Sequence, residues 1–237
     1  MTRWYEGTLA ALDFETTGLD VLNDRVVQAS LLIMDEKSVV QDGGWQGLVN
    51  PSIPVPRKVS KFHGITTKMV ESEGHEPARV FSDISRGIDK LVDHDIPLVI
   101  FNAPFDWQFL LAETARHDID APRMPQIIDP LTIDRGLDKY RKGGRDLKSV
   151  ARHYNVGLKN AHDAVEDSKA SIGIARQIGK RFPEVGDADF KTLHKLQEKW
   201  YDQWAIDFAR YLKRSGKDSS TVGPGWPINK RHRAALA

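Results

Sequence analysis

The sequence predicts an α/β fold: a mixed sheet, an antiparallel meander plus parallel strands, flanked by helices. Three observations predict it. Three Val-, Leu- and Ile-rich segments follow one another closely near the N-terminus, as a strand meander does. Beyond residue 76, short apolar runs alternate with segments whose apolar residues recur at helical spacing. Hydrophobic residues make up 40% and charged residues 28% of the 237, a balance that fits a folded globular chain.

The elements are justified in order. Residues 8–14 are mainly apolar and run into Thr-Thr-Gly, a strand followed by a tight turn. Residues 25–34 form a second strand. Residues 38–50 form a third, bulged at Gly43-Gly44. Pro51 to Pro56 breaks the pattern, and residues 62–66 read as a loop. Residues 76–92 place Val80, Phe81, Ile84, Ile88 and Leu91 on one helical face, with Pro77 suited to a first helical position. Residues 98–101 are a short buried strand, 105–116 a helix, and Ile127-Ile128 a further strand. Helices follow over 146–154 and 163–182, and a long one over 187–214 carries an aromatic stripe. From Ser215 onward Gly, Ser and Pro predict a loose end. Two units are therefore expected: residues 1–183, and a C-terminal helical extension with a basic tail over 184–237.

Charge and composition narrow the chemistry. The net charge is only +1, so no global field draws the chain to nucleic acid. There is no cysteine, which excludes disulfides and thiolate metal sites and leaves oxygen or imidazole ligands. That composition fits a reducing cytoplasm. The first residues lack a signal pattern, and no apolar run reaches the roughly 18 residues that span a bilayer. A soluble, cytoplasmic protein without a membrane partner is the expectation.

The acids fall in three short stretches. Asp13 and Glu15 are two apart at the end of the first strand, so both point to one side of it. Two carboxylates on one face repel, and a divalent cation offsets that best. Asp106 falls in the first turn of a helix, a position the helix dipole also favours. Asp163 and Glu166 are spaced as a capping box, which leaves Asp167 without a structural task. Asp13, Glu15, Asp106 and Asp167 together make an all-oxygen set suited to Mg²⁺ or Mn²⁺. Two such ions, roughly 3.5–4 Å apart, would clamp a phosphodiester. His162 would take a proton from the attacking water, since histidines titrate near working pH.

These stretches, Asp13 to Leu19, Asn102 to Asp106 and His162 to Asp167, resemble the three motifs of the histidine-containing (DnaQ-like) branch of the DEDD exonuclease superfamily. This is the branch of the proofreading subunit of DNA polymerase III. The resemblance covers about residues 7–182, with all five active positions filled. It implies a ribonuclease H-like fold, two Mg²⁺ or Mn²⁺ ions, and 3′–5′ hydrolysis that releases nucleoside 5′-monophosphates. It assigns the metals to Asp13, Glu15, Asp106 and Asp167, and the general base to His162. It further implies that Thr16, Thr17 and Gly18 wrap the terminal nucleotide, with His63 and Phe105 beside it. The expected partners are 3′ ends of single-stranded DNA or RNA, DNA favoured. An exoribonuclease, a structure-specific endonuclease and a non-catalytic binding module on the same fold are the alternatives. A second copy of the chain or a replication protein is a further candidate partner. The stretch from Arg210 carries seven basic residues against one acid, Asp218, and with Trp226 offers a candidate track for a nucleic-acid backbone.

Overall fold

The computed structural model describes residues 3–36, 38–40, 44–158, 162–219 and 222–236. The first strand, β1 (Leu9–Thr16), pairs antiparallel with β2 (Val26–Met34), and β3 (Trp45–Leu48) pairs antiparallel with β2. Three helices come next: α1 (Arg57–His63), α2 (Thr67–Glu73) and α3 (Pro77–Asp93). Then β4 (Leu98–Val99), α4 (Ala103–Arg116), β5 (Ile127–Ile128), α5 (Pro130–Leu137) and α6 (Leu147–His153) alternate. The chain continues through α7 (Ala164–Arg181), the single turn α8 (Pro183–Gly186) and α9 (Phe190–Arg214). The sheet order is β3-β2-β1-β4-β5, with β4 parallel to β1 and β5 parallel to β4. This is the mixed α/β sheet that the sequence predicts.

Alternation along β1 divides the interior. Ala10, Leu12 and Phe14 join the core built with Phe81, Ile84 and Trp107 from α3 and α4. Leu9 and Ala11 join the opposite core, with Val150 of α6 and Ile172, Ala175 and Ile178 of α7. Asp13 and Glu15 continue the second series, on the face covered by α7. Pairing of β1 with β4 ends at Ala11 and Val99, so β1 overhangs its parallel neighbour. Its last residues open a gap at the carboxyl end of the parallel strands, the usual ligand position in such sheets.

The structure departs from the sequence reading in several places. Residues 62–66 are not simply a loop: α1 ends at His63, and Gly64 caps it in the left-handed conformation, φ 77°. The third strand is short, starting at Trp45, and Gly43 of the expected bulge lies outside the described residues. The C-terminal end is not loose where it is described. Trp226 is 2% exposed, and its indole donates to Asp129 Oδ2 at 3.1 Å. Trp226 is thus a core residue, not an exposed ring for stacking a base. Tyr201 and Ala205 of α9 bury in the same core as β1. Gln197 completes the outer edge of β5: it accepts from Asp129 N at 2.6 Å and donates to Ile127 O at 3.0 Å.

Candidate active site

At the gap, β1 contributes Asp13 and Glu15. Asp13 lies opposite Ser30 of β2, and Ser30 Oγ bonds Ser168 Oγ of α7 at 3.1 Å. That contact brings Asp167, the neighbour of Ser168, to the face that Asp13 presents. Asp163 caps α7, accepting from Val165 N at 3.0 Å and Glu166 N at 3.2 Å. Glu166 turns outward to Lys169, so only half of the expected capping box forms. Gln28 of β2 accepts from the next N–H of the helix start, Ala164 N, at 3.2 Å. His162 precedes the cap in a left-handed conformation, φ 70°. Its backbone N–H donates to Asp167 Oδ2 at 3.1 Å, which turns the exposed ring and Asp167 toward one spot.

Glu15, His162 and Asp167 each offer a ligand atom, and these atoms lie within 4.8 Å of one another. Asp13 and Asp106 are outside that triad, although both border it. Asp106 arrives from the other side of the sheet. Its Oδ1 accepts from Phe14 N at 2.9 Å, a β1 N–H left free where β4 stops. Helix α4 is aimed there by a corner at Asn102, φ 69°, a conformation that asparagine tolerates. Asn102 makes no side-chain cap. Instead buried Asp129 accepts from the N–H groups of Asn102 and Ala103, both at 3.0 Å. Asp129 is a positioning residue that motif reading did not single out. The cue available was Asp-Pro at a helix start.

The electrostatics are unbalanced. Burial first, and then Asp106, Asp167 and Glu15, hold the Asp13 carboxyl well above its ordinary range. Burial likewise pushes up Asp106, against the hydrogen bond from Phe14 N. Glu15 is raised to about 7 by burial and by Asp167 and Asp163, and Asp167 to about 6, chiefly by burial. Asp167 Oδ1 is buried with no hydrogen-bond partner among the described residues. Four carboxyl groups thus share a pocket, and among the described residues no lysine or arginine is a cause of the shifts at any of them. Such an oxygen-donor set, with one buried oxygen unmet, fits hard divalent cations.

The remaining candidates surround this centre. Thr16 donates to Gly18 O at 2.6 Å, and Thr17 donates to Asp24 Oδ1 at 2.9 Å, so both hydroxyls brace the loop after β1. Gly18 leaves room for Asp24: a Cβ there would lie 2.3 Å from an Asp24 oxygen and would displace that carboxylate. His63 comes to the site from the end of α1. Its Nδ1 accepts from Ile65 N at 3.1 Å, its Nε2 is buried without a hydrogen-bond partner among the described residues, and the Thr16 backbone lies beside it. Burial lowers its pKa. Phe62, one residue earlier, sets its ring edge-on to His162 at 6.5 Å. Sequence reading missed Phe62, which gave no signal beyond its apolarity. Phe105 is half-buried, packs on Phe109 at 4.8 Å, and lines a cavity of about 620 Å³ next to the gap. Leu19, 83% exposed, stands at the mouth of that cavity.

Fold and site together define a class of nuclease domain, and sequence comparison gives the family. A family model for exonucleases of the RNase T type matches residues 10–175, and the chain belongs to this DnaQ-like exonuclease family. It is 28% identical over 183 residues to the PolC-type DNA polymerase III of Caldanaerobacter subterraneus, covering 76% of this chain and 12% of that polymerase. The corresponding enzyme of Thermotoga maritima is 26% identical over 196 residues, 81% of this chain and 13% of the polymerase. The chain therefore spans only about an eighth of the polymerases it matches. E. coli exonuclease I in complex with a dT13 oligonucleotide has the same fold, with a TM-score of 0.61 at 19% identity over 76% of this chain and 43% of that one. Cell-death related nuclease 4 is similar, with a TM-score of 0.59 at 18% identity over 74% of this chain and 64% of that one. No helix among the described residues is long and apolar enough to cross a membrane.

Proposed function

We propose that this chain is a cation-dependent 3′–5′ exonuclease that hydrolyses single-stranded nucleic acid, DNA in preference, and releases nucleoside 5′-monophosphates. The observation that carries the reading is the convergence of Glu15, His162 and Asp167 beside Asp13 and Asp106, in a pocket with unmet negative charge. Asp13, Glu15, Asp106 and Asp167 are the ligands for two Mg²⁺ or Mn²⁺. Bound there, the cations would supply positive charge toward a phosphodiester and make a nearby water more acidic. The acids fix where the scissile phosphate lies. His162, at the solvent-facing rim, takes the proton of the attacking water and passes it to bulk. Thr16, Thr17 and Gly18 shape the turn against which the terminal nucleotide lies, with His63 and Phe105 flanking it. The polymerase relatives and the oligonucleotide complex of exonuclease I support DNA and a replicative, cytoplasmic setting.

The test is digestion of matched linear and circular single strands, DNA and RNA, with Mg²⁺ and with Mn²⁺. The linear DNA is expected to yield 5′-mononucleotides from its 3′ end, while the circle survives. Asp13→Ala or Asp167→Ala is expected to abolish release with the fold intact. Full activity in either variant, or cutting of the circle, would refute the reading.

A further inference from the structure

Segment α9 and the residues after it lie beyond the family match, which ends at residue 175, yet they line the cavity that Asn102 and Phe105 border. The cavity of about 620 Å³ that Asn102 and Phe105 line on one side is closed on the other by Tyr201, Trp204 and His232. From there a row of rings leads away along α9. Tyr201 lies 5.5 Å from Trp204. Trp204 and Phe208 are nearly parallel, 17° apart with centroids at 5.3 Å, and Phe208 and Tyr211 repeat this at 15° and 6.2 Å. The row climbs out of the protein: Tyr201 is buried, and Tyr211 is 51% exposed. Among the described residues Phe208 and Tyr211 belong to none of the apolar clusters, so they have no core to cover.

Positive charge accompanies the rings. The Arg135 guanidinium lies over Trp204, 3.8 Å from the ring centroid, and makes no ion pair among the described residues. A second cavity, about 390 Å³, adjoins the far side of Trp204 and is lined by Arg135, Lys139, Arg145, Asp207 and Phe208; Lys139 pairs with Asp207 at 3.4 Å and Arg145 with Asp134, which leaves the cavity basic on balance. Arg214, one turn beyond Tyr211, is exposed.

We infer that the Trp204–Phe208–Tyr211 row, with its arginines and Lys139, is a track for the uncleaved part of a single strand whose 3′ end is in the catalytic gap. The inference rests on the proposed function for what fills the gap. Continuity selects the occupant: Trp204 lines both the cavity bordered by Leu19, Asn102 and Phe105, which flank the acids in the chain, and the second cavity beyond. Spaced aromatic rings beside cationic side chains bind unpaired bases and their phosphates without regard to sequence.

The experiment measures binding of a fluorescent 12-nucleotide single strand to the full chain in EDTA, by anisotropy. Tyr211→Ala is expected to weaken binding at least about fivefold, the loss typical of one stacked base. Arg214→Glu is expected to weaken it and to flatten its salt dependence. The loss is expected to grow with strand length and to be small for a dinucleotide. Unfolding midpoints of both variants show that the fold is kept, since both side chains face solvent. Unchanged affinity in both variants, or no binding by the parent, would overturn the track. A parent dimer that Tyr211→Ala dissociates, with strand affinity unchanged, would make the row a contact between copies and overturn it too. A parent that binds through Tyr211 but releases no nucleotide with metal keeps the track and removes the catalytic reading.

Discussion

Glu15 is the residue at which the site's electrostatics are easiest to read. Its carboxyl is held near 7 by burial, Asp167 and Asp163, far above the ordinary value of about 4.3. An acid with a raised folded-state pKa favours the fold while protonated. That contribution is complete below about pH 4 and is lost as pH rises toward 7. In EDTA, Glu15→Gln is therefore expected to gain thermal stability over the parent as pH rises from 4 to 8. Added Mg²⁺ reverses the order at pH 8, because only the parent retains the full ligand set. A thermal-unfolding series across pH checks both signs. His162 makes a second residue-scale prediction: His162→Ala lowers the cleavage rate by about 10²–10⁴-fold, the range of general-base catalysis. Its ring is exposed, so the unfolding midpoint is expected to hold. The acids and this histidine were legible in the sequence only as a set: Asp106 alone suits a helix start, and the order and spacing of the three stretches singled out all five. Asp129 and Phe62 were not, since a buried cap and a ring at a helix end look ordinary until long-range contacts are formed.

At the scale of elements, periodicity found what was long and half-buried. Helix α3 has seven buried residues along seventeen, and its start at Pro77 is as the sequence predicts. Helices α1 and α2 escaped: α1 buries no residue and α2 only Val70, so neither has an apolar stripe. Helix α5 escaped because its buried residues, Pro130 to Asp134, are consecutive and show no helical period. The packing of α9 on α5 and β5 was also invisible, because it depends on particular side chains. Gln197 serves the β5 edge as a neighbouring strand would. Gln197→Ala is expected to orphan two buried backbone groups, at about 1–3 kcal/mol each, and urea unfolding measures it. Gly136 lets α5 meet α9, since a Cβ there would lie 2.1 Å from the Trp200 ring. Gly136→Val is expected to displace α9, lowering stability and quenching the change in Trp200 fluorescence on unfolding.

Across the whole molecule, the sheet class and the order of strands and helices could be read from pattern, and the joining of the two ends of the chain could not. The last residues described pack on α4: Asn229 N donates to Gln108 Oε1 at 3.2 Å, and His232 Nδ1 shares that oxygen at 2.9 Å. With Tyr201, Ala205 and Trp226 in the core of β1, the chain is expected to unfold in a single transition, coincident by tryptophan fluorescence and far-ultraviolet circular dichroism. Removal of residues 184–237 is expected to abolish that transition, because it strips the β5 edge and uncovers the core. The central claim is that acids distant in the chain meet to hold a pair of divalent cations. Counting bound Mn²⁺ by paramagnetic resonance tests it most directly. The parent is expected to hold two ions and an Asp13→Asn, Asp167→Asn double variant none. A parent that holds no Mn²⁺, or a variant that holds as many as the parent, would contradict it.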